Sequence, residues 1–431
     1  MSKERDLMES VVASFEQRLN YRRAHPAAKS KELYVQAMKD YFEMVLRAKE
    51  EGKHLAWTSF AVPVELFYAM DTVPFLVEQF CITDLVQRIA QGQGLEYFDI
   101  GAGTGFSTET CSPHLATVGM AKDGALPKPD FIIGANSPCD SGLVAFYVLN
   151  SLYQCPSFYL DYPYLAGEEA IRYFKRDLER MVKFLEEQTG KKMDYDRLRE
   201  VMKSSGKAHN DYLKTMQLRK ATPAPFGGRE AFSLMTIKIY TEGLPQTTEF
   251  FETLYRENQE KVDRGEGVLA DERHRIAWFG GYPFFFTRIT DWMEENFQTV
   301  VVGDGLCLIP NTPVEDLSDP LECLARKNMG ASYWKITRSF CHVAEDLGDL
   351  SKEFGIDGAV FFASLGCKQN GGQMRMFQDV WREKLGIPTL ILDGDVMDPR
   401  VVSAEQMKVR LREFFPLLET SKSSRLSPVV V

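Results

Sequence analysis

What this sequence lacks narrows its chemistry before any motif is weighed. Its eight cysteines stand at 81, 111, 139, 155, 307, 323, 341 and 367, never closer than 16 residues apart. That spacing excludes the local C-x-x-C pairs of zinc ribbons, thioredoxin-like sites and ferredoxins, so any metal centre has to be assembled from distant loops. The six histidines show no paired ligand spacing. There is no P-loop and no G-x-S-x-G elbow, so ATP-driven chemistry of the P-loop kind would need another protein. No apolar run approaches the ~18 residues of a membrane span. The opening MSKERDLMES is charged and has no apolar core, so no signal peptide is expected there. A net charge of -10 lacks the basic excess that a general nucleic-acid binder needs. Dispersed cysteines with no export signal suit a reduced, cytoplasmic protein and not a disulfide scaffold.

What remains is an ordinary globular composition, 44% hydrophobic and 26% charged, in a chain of 431 residues. Single cores stop growing near ~250 to 300 residues, so two or more domains are expected. Residues 1–52 read as a helical lead-in, with Tyr34, Met38, Tyr41, Phe42, Val45 and Leu46 spaced as one apolar face. Residues 53–166 read as a first α/β domain, beginning with a short strand, a turn at Pro63 and a helix through Ala69 that Pro74 ends. Residues 167–270 are helical and highly charged, a bridging region. Residues 271–431 alternate strand and helix, with strands at RIAWFGG, TVVVGDG, Ala359 to Ala363 and TLILDGD. The fold class that follows is α/β, two doubly wound parallel-sheet domains facing each other. The duplication is a matter of pattern, since the two halves show no clear sequence repeat.

In each half a thiol follows a predicted strand. DFIIGANSPCDSG places Cys139 between the strand at Phe131 and an apolar helical run, and DGAVFFASLGCKQNGGQ does the same with Cys367. Ligands of open α/β sheets bind at that carboxyl edge. A helix start is expected to lower a thiol's pKa and favour the thiolate that binds metal. Cys155, Cys307, Cys323 and Cys341 fall in or beside predicted elements and read as core, Cys81 is ambiguous, and His114 reads as a polar loop residue. Cys111 closes the glycine-rich stretch YFDIGAGTGFSTETC. Its DIGAGTG segment has the look of the loop by which S-adenosylmethionine-dependent methyltransferases approach their cofactor, through Gly101 and Gly103. The preceding run is short and half polar, and no acidic residue closes a second strand downstream. A glycine-rich active-site loop leading to Cys111 is therefore the preferred reading. If the two domains face each other, Cys111, Cys139 and Cys367 meet in the cleft and can hold three corners of a cuboidal iron–sulfur cluster.

Further residues give this constellation a family. Trp57, Pro63, Glu65 and Leu66 form a W-x(5)-P-x-E-L pattern, followed by Thr110-Cys111-Ser112, Pro138-Cys139-Asp140 and the Cys367 loop. Ile387-Pro388, Asp395, Asp398-Pro399-Arg400, Ser403 and Arg410-Leu411 complete the series. In this order the chain resembles, along nearly its whole length, subunits of the ATP-activated 2-hydroxyacyl-CoA dehydratase and benzoyl-CoA reductase family. The resemblance implies that Cys111, Cys139 and Cys367 bind a [4Fe-4S] cluster between two α/β domains. It also implies a heterodimer with a homologous second subunit, a separate iron–sulfur ATPase activator that injects a low-potential electron, and an acyl-CoA substrate. In the dehydratases a ketyl radical anion on the thioester leads to loss of hydroxide; the reductases add electrons to an aromatic ring. The resemblance places an acid/base glutamate at Glu78. The serine those enzymes carry near the start of this stretch falls at Phe60, with Ser59 adjacent, which leans the expectation toward a reductase-type or an electron-relay subunit. The branch of the family with a double cluster carries a glycine-flanked cysteine pair that is missing here.

Overall fold

The structure is a computed structural model. It describes residues 3–305 and 311–426, without the side chains of 338–346 and 422–426. Cys307 and the side chain of Cys341 lie outside the described residues.

Two helices lead in, α1 (Lys3–Ala24) and α2 (Lys29–Arg47). Met38, Tyr41, Phe42 and Val45 of α2 are buried, the face that their spacing predicts. The first sheet has strands β1 (Leu55–Thr58), β2 (Val73–Leu76), β3 (Phe131–Ala135) and β4 (Ser157–Leu160). Its helices are α3 (Glu65–Ala69), α4 (Val77–Ile89), α5 (Glu96–Gly103), α6 (Ser112–Lys122) and α7 (Asp140–Tyr153). Four long helices follow, α8 (Glu168–Thr189), α9 (Tyr195–Gln217), α10 (Gly228–Thr241) and α11 (Pro245–Asp263). The second sheet has β5 (His274–Gly280), β6 (Thr299–Asp304), β7 (Gly358–Ser364) and β8 (Thr389–Gly394). Around it lie α12 (Ile289–Phe297), α13 (Pro320–Met329), α14 (Ser332–Glu353), α15 (Lys368–Gln378) and α16 (Ala404–Leu426).

Both sheets are parallel, and their strand orders correspond: β2-β1-β3-β4 in one, β6-β5-β7-β8 in the other. The duplication that sequence pattern alone implied is thus present in topology. The central strands β1, β3 and β7 are buried along their whole length, as expected where helices cover both faces of a parallel sheet. In each sheet the chain order reverses beside the first strand, between β1 and β3 and between β5 and β7. Loops on either side of such a reversal diverge and leave a crevice at the carboxyl edge. Cys139 follows β3 and Cys367 follows β7, one at each crevice.

Two local expectations are corrected. Pro74 does not end a helix; α3 stops at Ala69, and Pro74 lies inside β2, at the sheet edge, where a missing N–H leaves no ladder bond unmade. Its carbonyl accepts a hydrogen bond from Tyr41 Oη at 2.9 Å, which docks the lead-in on that edge. The DIGAGTG segment is no loop: Glu96 to Gly103 is helix α5. Its Gly101 serves helix packing, together with Gly119 of α6. A Cβ at Gly101 would collide with the Leu115 carbonyl of α6, and one at Gly119 with the Tyr97 carbonyl of α5. No strand leads into the segment, so the methyltransferase alternative has neither its strand nor its loop.

Candidate functional site

Cys111, Cys139 and Cys367 each occupy the N-cap position of a helix, of α6, α7 and α15 respectively. All three line one cavity of about 290 Å³ that is walled by both sheets' carboxyl-edge loops. The approach is tight on the side of Cys111 and Cys367. A Cβ on Gly366 would stand 2.6 Å from the Thr110 carbonyl oxygen and 3.1 Å from Cys111 Cα, so only glycine lets the two loops lie this close. One residue on, Ser112 Oγ donates to Asp395 Oδ1 at the end of β8. That same oxygen accepts the backbone N–H groups of Met397 and Asp398, each at 2.8 Å. The first residue of α6 is thereby fixed to the second sheet.

Three helix N-termini that meet at one chamber direct positive dipole ends toward it, a setting for a bound anion. The expected lowering of the thiol pKa values is nonetheless overturned. Burial pushes Cys111 well above the ordinary thiol range, with Cys367 and Cys139 nearby adding to it. Burial raises Cys139 to about 12 against a hydrogen bond from the Gly142 N–H, and it raises Cys367 against those from Asn370 and Gln369. The helix ends act in the expected direction but are outweighed by desolvation.

Whether these residues suit an iron–sulfur cluster depends on their own geometry. Among the described residues no three His, Cys, Asp or Glu side chains are close enough to share a single metal ion. A cubane asks for something else, because its thiolates bond different irons and are spread around it. Backbone N–H groups beside Cys139 and Cys367 supply the hydrogen bonds to sulfur that such clusters accept. Three thiols, those donors and a chamber shared by two sheets fit the group.

Beside the thiols stands a polar cluster. Glu78, in the first turn of α4, is buried; its Oε2 accepts the Phe60 N–H at 3.2 Å and its Oε1 lies 3.0 Å from His114 Nε2. His114 Nδ1 is in turn 2.8 Å from Ser141 Oγ. His114 is therefore a buried helical residue paired with Glu78, and not the polar loop residue expected. The signal for it was its place three residues after Cys111, which puts it in the first turn of the helix that Cys111 caps. The Ser59 and Ser137 hydroxyls line the same cavity, buried and with no hydrogen-bond partner among the described residues. Unsatisfied buried hydroxyls are costly, so two of them at the wall of one cavity call for a partner. Ser137 was missed in sequence because it stood in a stretch read only for Cys139. Ser59 shares the cavity wall with Phe60, so the position where the resemblance implied a serine has a hydroxyl next to it. Of the other described thiols, Cys81 and Cys323 are buried as core residues are, and Cys155 is half-buried.

Residues 59–418 match the family described as 2-hydroxyglutaryl-CoA dehydratase, D-component. The (R)-phenyllactyl-CoA dehydratase alpha subunit of Clostridium sporogenes is 24% identical over 395 residues, covering 88% of this chain and 93% of its own length. A benzoyl-CoA reductase subunit of Thauera aromatica is 24% identical over 421 residues, covering 89% and 93%. The (R)-2-hydroxyisocaproyl-CoA dehydratase alpha subunit of Clostridioides difficile is 23% identical over 398 residues, covering 89% and 94%. With the matched region running from Ser59 beside the chamber to the last helix, the chain belongs to the 2-hydroxyglutaryl-CoA dehydratase D-component family.

Proposed function

We propose that this chain is the cluster-bearing subunit of an activator-dependent acyl-CoA enzyme of the 2-hydroxyacyl-CoA dehydratase and benzoyl-CoA reductase type. Cys111, Cys139 and Cys367 hold a [4Fe-4S] cluster that, when bound, supplies a single low-potential electron to a CoA thioester. The observation that carries this reading is the entry of three helix-capping thiols, from both halves of the chain, into one chamber. The chain's own side chains then have separable tasks. The free hydroxyls of Ser59 and Ser137 bind the thioester oxygen, Glu78 receives or returns the substrate proton, and the Phe60 N–H together with His114 fixes that carboxylate. The apolar walls keep water from the reacting centre. A homologous second subunit completes the enzyme, and a separate iron–sulfur ATPase delivers the electron. The unsatisfied polar atoms favour a subunit that binds substrate over one that only relays electrons, since a relay needs no such groups. Among the described residues no helix is long and apolar enough to cross a membrane.

The test is anaerobic purification of the wild type and of Cys111→Ala, Cys139→Ala and Cys367→Ala, with iron and acid-labile sulfide measured in each. The wild type is expected to carry both in equal amounts and each variant to lose most of them. Full iron content in all three variants would remove the proposal.

A further inference from the structure

A second cavity, of about 60 Å³, lies behind the chamber and is as charged as the chamber is apolar. Phe60, Met235 and Tyr333 line both. The Phe60 and Tyr333 rings pack edge to face with centroids 5.1 Å apart and act as a partition. On the far side Lys327 Nζ donates to Glu65, to Glu242 Oε2 at 2.5 Å and to Ser205 Oγ at 3.0 Å, while Lys238 Nζ stands 3.0 Å from Glu242 Oε1. Two ammonium groups face two carboxylates there, so the charges cancel within the cavity.

On the chamber side the surroundings are different in kind. Phe232 packs against Tyr282 at 5.5 Å and Phe284 at 5.1 Å, and Tyr282 stacks on Trp278 at 5.2 Å with the planes 3° apart. Of these rings Phe232, Tyr282 and Phe284 line the chamber, together with the Phe60–Tyr333 pair. Among the described residues no lysine or arginine lines the chamber, and its carboxylates are Glu78 and Asp304. Asp304 is held by Arg219 at 3.0 Å. A second carboxylate on the acyl group would meet no cation among the described residues and would stand near Glu78, a heavily disfavoured placement. A flat or branched hydrocarbon would meet ring faces and edges.

Resting on the reading of this chamber as the acyl-CoA site, we propose that the acyl group it accepts is uncharged and apolar, with an aromatic ring favoured. The Phe60–Tyr333 pair is the specificity-determining wall that shuts out the charged cavity. The probes are phenylacetyl-CoA and glutaryl-CoA, titrated by calorimetry into the anaerobically purified complex with its partner subunit. Phenylacetyl-CoA is expected to bind at least about 30-fold more tightly. In Phe60→Ser, which removes one ring of the partition and joins the chamber to the polar cavity behind it, where a second carboxylate can be hydrated and hydrogen-bonded, the preference is expected to shrink to about 3-fold or less. Equal affinity of the wild type for both probes overturns the proposal and leaves the acyl-CoA reading standing. Binding of neither probe overturns the acyl-CoA reading itself. A preference that persists unchanged in Phe60→Ser overturns the role of the ring pair. Should that variant fail to fold, the wild-type comparison still decides the acyl class, and Tyr333→Leu takes its place at the wall.

Discussion

The site is decided first by small backbone allowances at single residues. Gly366 has no side chain where any other would meet Thr110, and this is what brings Cys367 against Cys111. Gly366→Ala is expected to keep the fold, by circular dichroism, and to lose most of its iron when purified without oxygen; a full complement of iron would contradict the packing argument. On the proposed reading Glu78 carries the proton chemistry, so Glu78→Gln is expected to lower turnover about 10²- to 10⁴-fold with iron content unchanged. Turnover close to the wild type would exclude it as acid or base. Among single residues the sequence was legible where a chemical type announces itself after a strand, as Cys139 and Cys367 do. It was not legible where depth of burial decides, because no spacing reveals that desolvation outweighs a helix N-terminus at Cys111 or that His114 meets Glu78.

Among the elements, the strands of both sheets were readable from runs of β-branched and aromatic residues, and the helix faces from their period. The failure came at α5. Three glycines within DIGAGTG carry the composition of a ligand-binding loop, whereas Gly101 lets the backbones of α5 and α6 touch and the other two border open space. Composition cannot tell a close approach to a ligand from a close approach to another helix. Gly101→Ala is expected to destabilise the fold by about 1–3 kcal/mol in urea unfolding, since a Cβ there meets the Leu115 carbonyl. The same preparation of wild type should give no heat with S-adenosylmethionine. Unchanged stability in the variant, or saturable binding of that cofactor, would return the segment to the role its glycines first implied.

Across the full chain, a buried charge network ties three regions together: Glu65 after β1, His209 and Glu242 on and beside the middle helices, and Lys327 in α13. Nothing in the local sequence around any one of these residues announces the others, which lie up to 262 positions apart. Burial lowers His209 to about 4, where it stays neutral and bonds the Thr312 carbonyl at 2.9 Å. Glu242 is held below the ordinary carboxylate range, because the nearby Lys238 and Lys327 outweigh the opposing effect of burial. Both shifts have the same sign. Below pH 6.5 the unfolded chain protonates His209 while the native chain does not, so the stability it contributes at neutral pH is lost as pH falls toward 4. The loss from this residue is about 3 kcal/mol, and His209→Gln should flatten that part of the pH profile of unfolding. An identical profile in the variant would show that the imidazole titrates in the open.

That three thiols of this chain hold one cluster at the seam between its two sheets can be read from Mössbauer spectroscopy of the complex grown on ⁵⁷Fe and purified without oxygen. The expected result is a [4Fe-4S] spectrum in which one iron in four is distinct from the other three, because three cysteines serve four corners. A spectrum with four equivalent irons, or with no cluster iron at all, would refute it.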